Sequence, residues 1–168
     1  DFVWFPPVSR SVSPQGYLPG DYYDLGGTDN PTFYGNQQQL EAALKALNAQ
    51  GVLPVADIVV NHRCAGKQDN NGIWNIYHFA SGKAKWEQWA VCRGQYGGTG
   101  NNDTGDGYHA APDLDHTNDK VREDIAEWMN WLKKLGFKAW RYDYSKGYAS
   151  KYAGYYDEKT SPAFSVGE

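Results

Sequence analysis

Apolar positions along the chain follow two spacings. Phe2-Val-Trp-Phe5, Leu53 to Val60, Phe137 to Tyr142 and Ala163 to Val166 are short, nearly continuous runs of apolar and aromatic residues, which predict strands. Between the first two runs, Leu40, Ala43, Leu44 and Leu47 keep helical spacing, with Asn36 able to cap the helix and Gly51 to end it. A second helix is predicted from about Asn118, with Val121, Ile125, Trp128 and Leu132 on one face and a stop at Gly136. A short third helix is predicted near Tyr148 to Tyr156. Two long stretches fit neither spacing. One runs from Pro6-Pro7 to about Asn36 and holds Tyr17, Tyr22, Tyr23 and Tyr34; loops of that length are usually functional or disordered. The other, Cys64 to Asp115, is low in regular pattern, and its Gly98 to Gly107 segment reads as coil that presents oxygens.

The order strand, helix, strand, helix, strand, helix, strand predicts an α/β fold with parallel strands joined by right-handed crossovers. In such folds the chemistry gathers at the carboxyl ends of the strands. Three strand ends carry polar residues of that kind: Asn61 and His62, then Arg141 and Asp143, then Glu168. Leu53 to Val60 has the pattern of a strand buried on both faces, so Asp57 within it requires a partner inside.

Composition narrows the functional classes. The chain has 168 residues, 40% of them hydrophobic, which suits one folded domain with a real core. A net charge of -4 with no Lys/Arg run argues against nucleic-acid or membrane-surface partners. No apolar run is long enough to span a bilayer, and no signal-peptide pattern opens the chain. Cys64 and Cys92 could pair, but two cysteines make neither a disulfide framework nor a zinc site. Seven Trp and thirteen Tyr in this length suit stacking on sugar faces, although a Trp-rich core accounts for many of them equally well.

Arg141 and Asp143 stand two residues apart at the end of a buried strand. The neighbouring cation is expected to hold the carboxylate ionised, as a nucleophile requires; an ordinary ion pair at a strand's edge is the alternative. Glu168 has no cation beside it in sequence and is the candidate general acid. Two carboxylates from adjacent parallel strands suit glycoside hydrolysis. His62 would bind a sugar hydroxyl or a developing charge.

At these residues the sequence resembles the α-amylases of the glycoside hydrolase family 13 clan, and most of all the plant type and its bacterial relatives. Ala56-Asp-Ile-Val-Val-Asn-His62 matches the third-strand motif, Trp140-Arg-Tyr-Asp143 with Lys146-Gly147 the fourth, and Phe164-Ser-Val-Gly-Glu168 the fifth. Pro14-Gln-Gly-Tyr17-Leu-Pro-Gly20 and Ala110-Ala-Pro-Asp-Leu-Asp-His116 match flanking segments, so the resemblance runs from end to end. It implies a parallel (β/α)8 barrel, of which residues 1–168 are about half, with a long calcium-binding loop subdomain, residues 63–117, after the third barrel strand. It further implies Asp143 as nucleophile and Glu168 as general acid/base in a retaining endo-hydrolysis of α-1,4-glucan. Arg141 and His62 would surround the cleaved sugar, Tyr17 would be a stacking platform, and Lys146 would lie in a neighbouring glucose subsite. The implied substrate is starch or a malto-oligosaccharide, and the full-length protein is expected to be a secreted monomer.

The resemblance also implies one structural calcium ion. Its ligands would be the side chains of Asn61, Asp103 and Asp113 with the carbonyls of Asp106 and Gly147, the hard oxygens that Ca²⁺ takes. Further calcium sites of the plant type are not expected, because Lys83 and Gly107 fall where acids would stand. Ala139 stands where the family usually has Gly. The family's third catalytic acid, an Asp of the seventh strand, has no counterpart, and four strands are half of a closed barrel. These 168 residues by themselves are therefore not expected to hydrolyse starch. A transglycosylase of the same clan and a non-catalytic starch-binding relative are the alternatives.

Overall fold

The computed structural model describes all 168 residues. Four strands form one parallel sheet in the order β1-β2-β5-β6: β1 Phe2–Trp4, β2 Leu53–Ile58, β5 Ala139–Tyr142 and β6 Ser165–Gly167. Trp4 is the register partner of Val55, and Arg141 pairs in register with Asp57 on one side and Val166 on the other. The crossovers are made by helices α1 (Gln37–Ala49), α2 (Asp119–Leu135) and α3 (Ser150–Thr160). This is the parallel α/β arrangement expected from the strand–helix alternation, and four of the eight barrel strands that the resemblance implies. No helix is long and apolar enough to cross a membrane.

Strand edges differ from the sequence reading by one or two residues, for a reason visible in the ladder. The backbone N–H of Phe5 still donates to Val55, and Ala163 N–H to the Lys138 carbonyl, so pairing extends past the regular segments. At the ends of β2 and β5, Val59, Val60 and Phe137 are buried although outside the regular strands. The inner strand β2 is almost wholly buried, whereas β1 and β6, at the two edges, are exposed along their length.

The helix ends follow their caps. Asn36 Oδ1 accepts the Gln39 amide at 2.9 Å while Gln39 Oε1 accepts the Asn36 amide at 3.0 Å, a reciprocal capping box. Asn118 caps α2 through the Lys120 and Val121 amides. Gly136 closes α2 with φ 132°, and a Cβ there would press on Leu44 of α1 at 3.1 Å, so this position suits glycine twice over. Helix α3 begins two residues later and ends four residues later than its apolar pattern predicts; Thr160 and Tyr156 are buried at its far end.

The Cys64 to Asp115 stretch is more ordered than its composition predicts. It holds an antiparallel hairpin, β3 (Lys67–Gln68) with β4 (Trp74–Ile76), and a 3-10 turn at Gln88–Ala90. Tyr77, Trp86, Ala90, Val91 and Leu114 from this stretch are buried in one cluster with Ile125, Trp128 and Leu132 of α2. Trp86 Nε1 donates to Asp124 of α2 at 2.8 Å, and Tyr22 stacks on Trp128 with centroids 4.5 Å apart. The Arg63 guanidinium is fully buried among the rings of Tyr22, Trp86, Tyr77 and Phe79, its Cζ 4.5 to 5.2 Å from their centroids. Its Nε donates to the Gly20 carbonyl and its Nη1 to that of Ala84, which ties both long loops to the end of β2. Cys64 and Cys92 are free thiols, so the possible disulfide is not formed.

Candidate active site

Side chains of adjacent parallel strands at register positions point to the same face. Asp57 and Arg141 are such a pair, and Arg141 Nη1 donates to Asp57 Oδ1 at 2.9 Å. The Asp57 side chain has no exposed surface, and its Oδ2 accepts from Trp4 Nε1 at 3.1 Å and the Tyr17 hydroxyl at 2.9 Å. The partner that Asp57 requires is thus a cation on the next strand and two donors from the first strand and its loop.

Beyond β5, Arg141 Nη1 also donates to Asp143 Oδ1 at 2.8 Å, and Nη2 donates to Glu168 Oε2. One guanidinium therefore holds carboxylates from three successive strand ends. One sequence expectation is corrected here. Glu168 does have a cation beside it, because the end of β6 lies against Arg141 in register. The cation expected beside Asp143 is there; burial raises the Asp143 carboxyl from its ordinary value, against the pull of Arg141, with Asp57 and Glu168 adding like charge. Asp57 is raised as well, burial again being the largest cause. Asp143 Oδ2 and Glu168 Oε1 accept no hydrogen bond from the protein, so each carboxyl keeps one oxygen open for chemistry.

His62 lies at the end of β2 and is buried. Its Nε2 is 2.8 Å from the Tyr17 carbonyl, which can only accept, so Nε2 carries the proton. Nδ1 then accepts from Asn61 Nδ2 at 3.2 Å. Burial lowers the His62 pKa, in keeping with this neutral tautomer. The imidazole stacks on Tyr108 at 3.7 Å, within 9° of parallel. Tyr17 is half-buried, and its ring centroid is 5.8 Å from Arg141 Cζ. Lys146 is exposed, 3.6 Å from Asp106 and 5.3 Å from the Tyr144 ring centroid.

Asp57, Trp4 and Tyr108 are site residues that sequence reasoning did not assign. The signal for Asp57 was present as a charge inside an apolar run; Trp4 and Tyr108 had no pattern to mark them.

Of the residues named for calcium, Asn61, Asp103 and Asp113 lie together beside this cluster, with the backbone of Gly147 packed against Asn61. Asn61 Nδ2 donates to Asp113 Oδ1 at 3.0 Å, which leaves Asn61 Oδ1 buried without a partner. Asp103 Oδ2 is a second buried oxygen without a donor. The Asp103 carboxyl is pushed up to about 6, by burial first and then by the neighbouring Asp113. Gly147 packs so closely on Asn61 that a Cβ would collide with Oδ1, and the Asp106 amide donates to the Lys146 carbonyl at 3.0 Å. No three His, Cys, Asp or Glu side chains converge as a metal-binding group. The donors are two carboxylates, one amide oxygen and backbone carbonyls, a set that fits a hard cation taking oxygen ligands. Orphaned buried oxygens next to a pair of like charges are costly without one.

A parallel α/β sheet with carboxylates and an arginine at successive strand ends defines a barrel-type catalytic domain. The chain belongs to the α-amylase family: the family described as "Alpha amylase, catalytic domain" matches residues 1–165. It is 38% identical to the chloroplastic α-amylase 3 of Arabidopsis thaliana over 99% of this chain and 18% of that protein. It is 39% identical to the probable α-amylase 2 of the same plant, over 99% of this chain and 38% of that one. The chain thus spans well under half the length of these relatives. Its fold is similar to that of an α-amylase from Malbranchea cinnamomea, with a TM-score of 0.70 and 21% identity, over 100% of this chain and 36% of that structure.

Proposed function

We propose that this chain carries the nucleophile and the general acid/base of an α-amylase, an endo-hydrolase of α-1,4-glucosidic bonds in starch that retains configuration. The observation that carries the reading is the single Arg141 guanidinium holding Asp57, Asp143 and Glu168 at three neighbouring strand ends. In the reaction, Asp143 Oδ2 attacks the anomeric carbon while a proton on Glu168 Oε1 passes to the leaving glycosidic oxygen. A glycosyl ester on Asp143 results. Glu168 then takes a proton from water, which opens the ester and restores both carboxyls. Arg141 keeps Asp143 in place and balances its charge; Asp57 is buried behind Arg141 and fixes the guanidinium.

His62 Nε2 donates to the Tyr17 carbonyl and its Nδ1 accepts from Asn61, so the enclosed imidazole acts on the sugar through the Tyr17 loop that it holds against the site. The Tyr17 ring is the stacking surface, and the exposed Lys146 ammonium serves an adjacent glucose. A calcium ion would be held by Asn61, Asp103 and Asp113 with the carbonyls of Asp106 and Gly147. Bound there, it would supply no reactive group; it would pin the Asp103–Asp113 loop to the ends of β2 and β5.

The test is reducing-sugar release from starch by the protein that carries this chain, with and without Asp143→Asn. Release that falls at least a thousandfold in the variant is expected, in line with the loss of a covalent nucleophile. Sugar transfer without net hydrolysis would favour a transglycosylase. Glucan binding with no turnover in the parent would favour a non-catalytic relative.

A further inference from the structure

An open groove lies away from the strand ends, on the outer side of α2 and α3. It is a groove of about 850 Å³, within the range of about 300–1,000 Å³ usual for ligand sites. One wall is Trp131 and Asn130 of α2, another is Tyr155 and Lys159 of α3, and Tyr23 and Lys83 come from the two long loops. The Tyr23 and Trp131 rings are 4.8 Å apart and tilted by 43°, so they form an open angle and not a sealed stack.

Three features of the groove point to one class of ligand. Neither Trp131 Nε1 nor the hydroxyls of Tyr23 and Tyr155 has a hydrogen-bond partner in the protein, although the buried indoles of Trp86, Trp128 and Trp140 all donate. Amphipathic rings with free polar tips at a surface suit a ligand that has both apolar faces and hydroxyls. Charge gives the second feature. Lys83, Lys134 and Lys159 share the lining with Glu123 and Glu127, so neither a polyanion nor a polycation meets a uniform field, and a neutral polyol meets donors and acceptors together. Placement gives the third: Arg122 and Lys159 lie 5.2 and 5.5 Å from the Tyr155 ring centroid, which leaves stacking to the Tyr23–Trp131 pair and polar contacts to the α3 wall.

We propose that this groove is a second saccharide site, which holds a neutral α-glucan chain against Trp131 and Tyr23 outside the catalytic cluster. The occupant's identity rests on the proposed function; the groove's chemistry does not. Held there, a long or insoluble glucan is kept near the strand-end carboxylates between turnovers, which raises its effective concentration at the site.

The experiment compares retention on insoluble starch granules with turnover of a short soluble maltoside, using the protein that carries this chain. Trp131→Ala is expected to lower granule retention about tenfold, the scale of a lost stacking platform, with kcat/KM on the maltoside unchanged. Because Trp131 is partly buried, the exposed pair Lys134→Ala with Lys159→Ala is tested in parallel and is expected to weaken retention severalfold with normal turnover. Retention equal to the parent in the double-lysine variant, with maltoside turnover intact, overturns the proposal. So does Trp131→Ala binding granules as the parent does. A parent that retains on granules through this groove yet cleaves no maltoside supports the second site and refutes the catalytic reading, so the two fail separately.

Discussion

Asp57 and Arg141 face each other across the β2–β5 ladder, and the carboxylate is wholly enclosed while the guanidinium reaches on to Asp143. Removal of Asp57 leaves Arg141 with Asp143 and Glu168, and strips the Trp4 indole and the Tyr17 hydroxyl of their acceptor. Asp57→Ala is expected to destabilise the protein that carries this chain by roughly 1–3 kcal/mol in urea denaturation. It should also lower turnover, since Arg141 then loses the anchor that aims it at Asp143. An unchanged denaturation midpoint would show that the pair is replaceable by water.

Glu168→Gln removes the proton donor proposed above and leaves Asp143 in place. Substrates with poor leaving groups should slow by roughly a hundredfold or more, within the range for general acid catalysis, while activated aryl glycosides slow far less. Equal slowing of both classes would contradict the role assigned to Glu168.

Chelation of calcium from the full-length protein should lower its Tm, because an ion that binds only the folded form stabilises it. Asp113→Ala should weaken calcium binding more than Asp119→Ala, since Asp113 meets Asn61 and Asp119 sits on the exposed first turn of α2, paired with Arg122. Metal loss confirmed by elemental analysis without any change in Tm is the contrary result.

His116 is fully buried, stacked on Tyr148, with Nε2 donating to the Val60 carbonyl at 2.9 Å and Nδ1 accepting from the Tyr156 hydroxyl at 2.7 Å. Burial pushes it down to about 4, with Asp115 and Arg122 nearby. The unfolded chain takes up this proton first, near pH 6.5. The contribution is therefore complete above pH 6.5 and is lost as pH falls towards 4, by roughly 3 kcal/mol in all. His116→Gln should be less stable at pH 7.5 and show a shallower loss of stability between pH 6.5 and 4 than the parent. Parallel pH–stability curves would count against it.

A polypeptide of these 168 residues alone presents two strands, β1 and β6, with no partner on their outer sides. Phe2, Trp4 and Val166 are each more than half exposed there. Such edges favour association over a fixed site, and catalytic carboxyls tolerate displacements of only about 0.5 Å. No glucan cleavage above a Glu168→Gln control is expected from that polypeptide; turnover lost only in the control would refute this.

The strands, the helices and the gathering of charged residues at strand ends were legible because each rests on local rules: period, cap and breaker. Asn36, Asn118 and Gly136 stand where their side chains, or the lack of one, demand. What stayed hidden depends on contacts between distant segments. Arg63 reads as a polar residue after a strand, yet it is enclosed by rings from residues 22, 77, 79 and 86. The stretch from Cys64 to Asp115 reads as coil because its buried residues, Tyr77, Trp86 and Val91, follow no period. Glu168 looked free of cations because its neighbour, Arg141, is 27 residues away in sequence and one strand away in space.

The sheet's strand order is also its order in the chain, β1, β2, β5, β6, with each crossover helix lying between consecutive strands. A ribosome releases residues in that same order, at about 5–20 per second. Each new strand can therefore dock on the edge left by the one before, with no earlier pairing to undo. Arg141 emerges after Asp57 is already in place, and Asp143 and Glu168 follow, so the buried carboxylate waits for its cation and the two outer carboxyls join last.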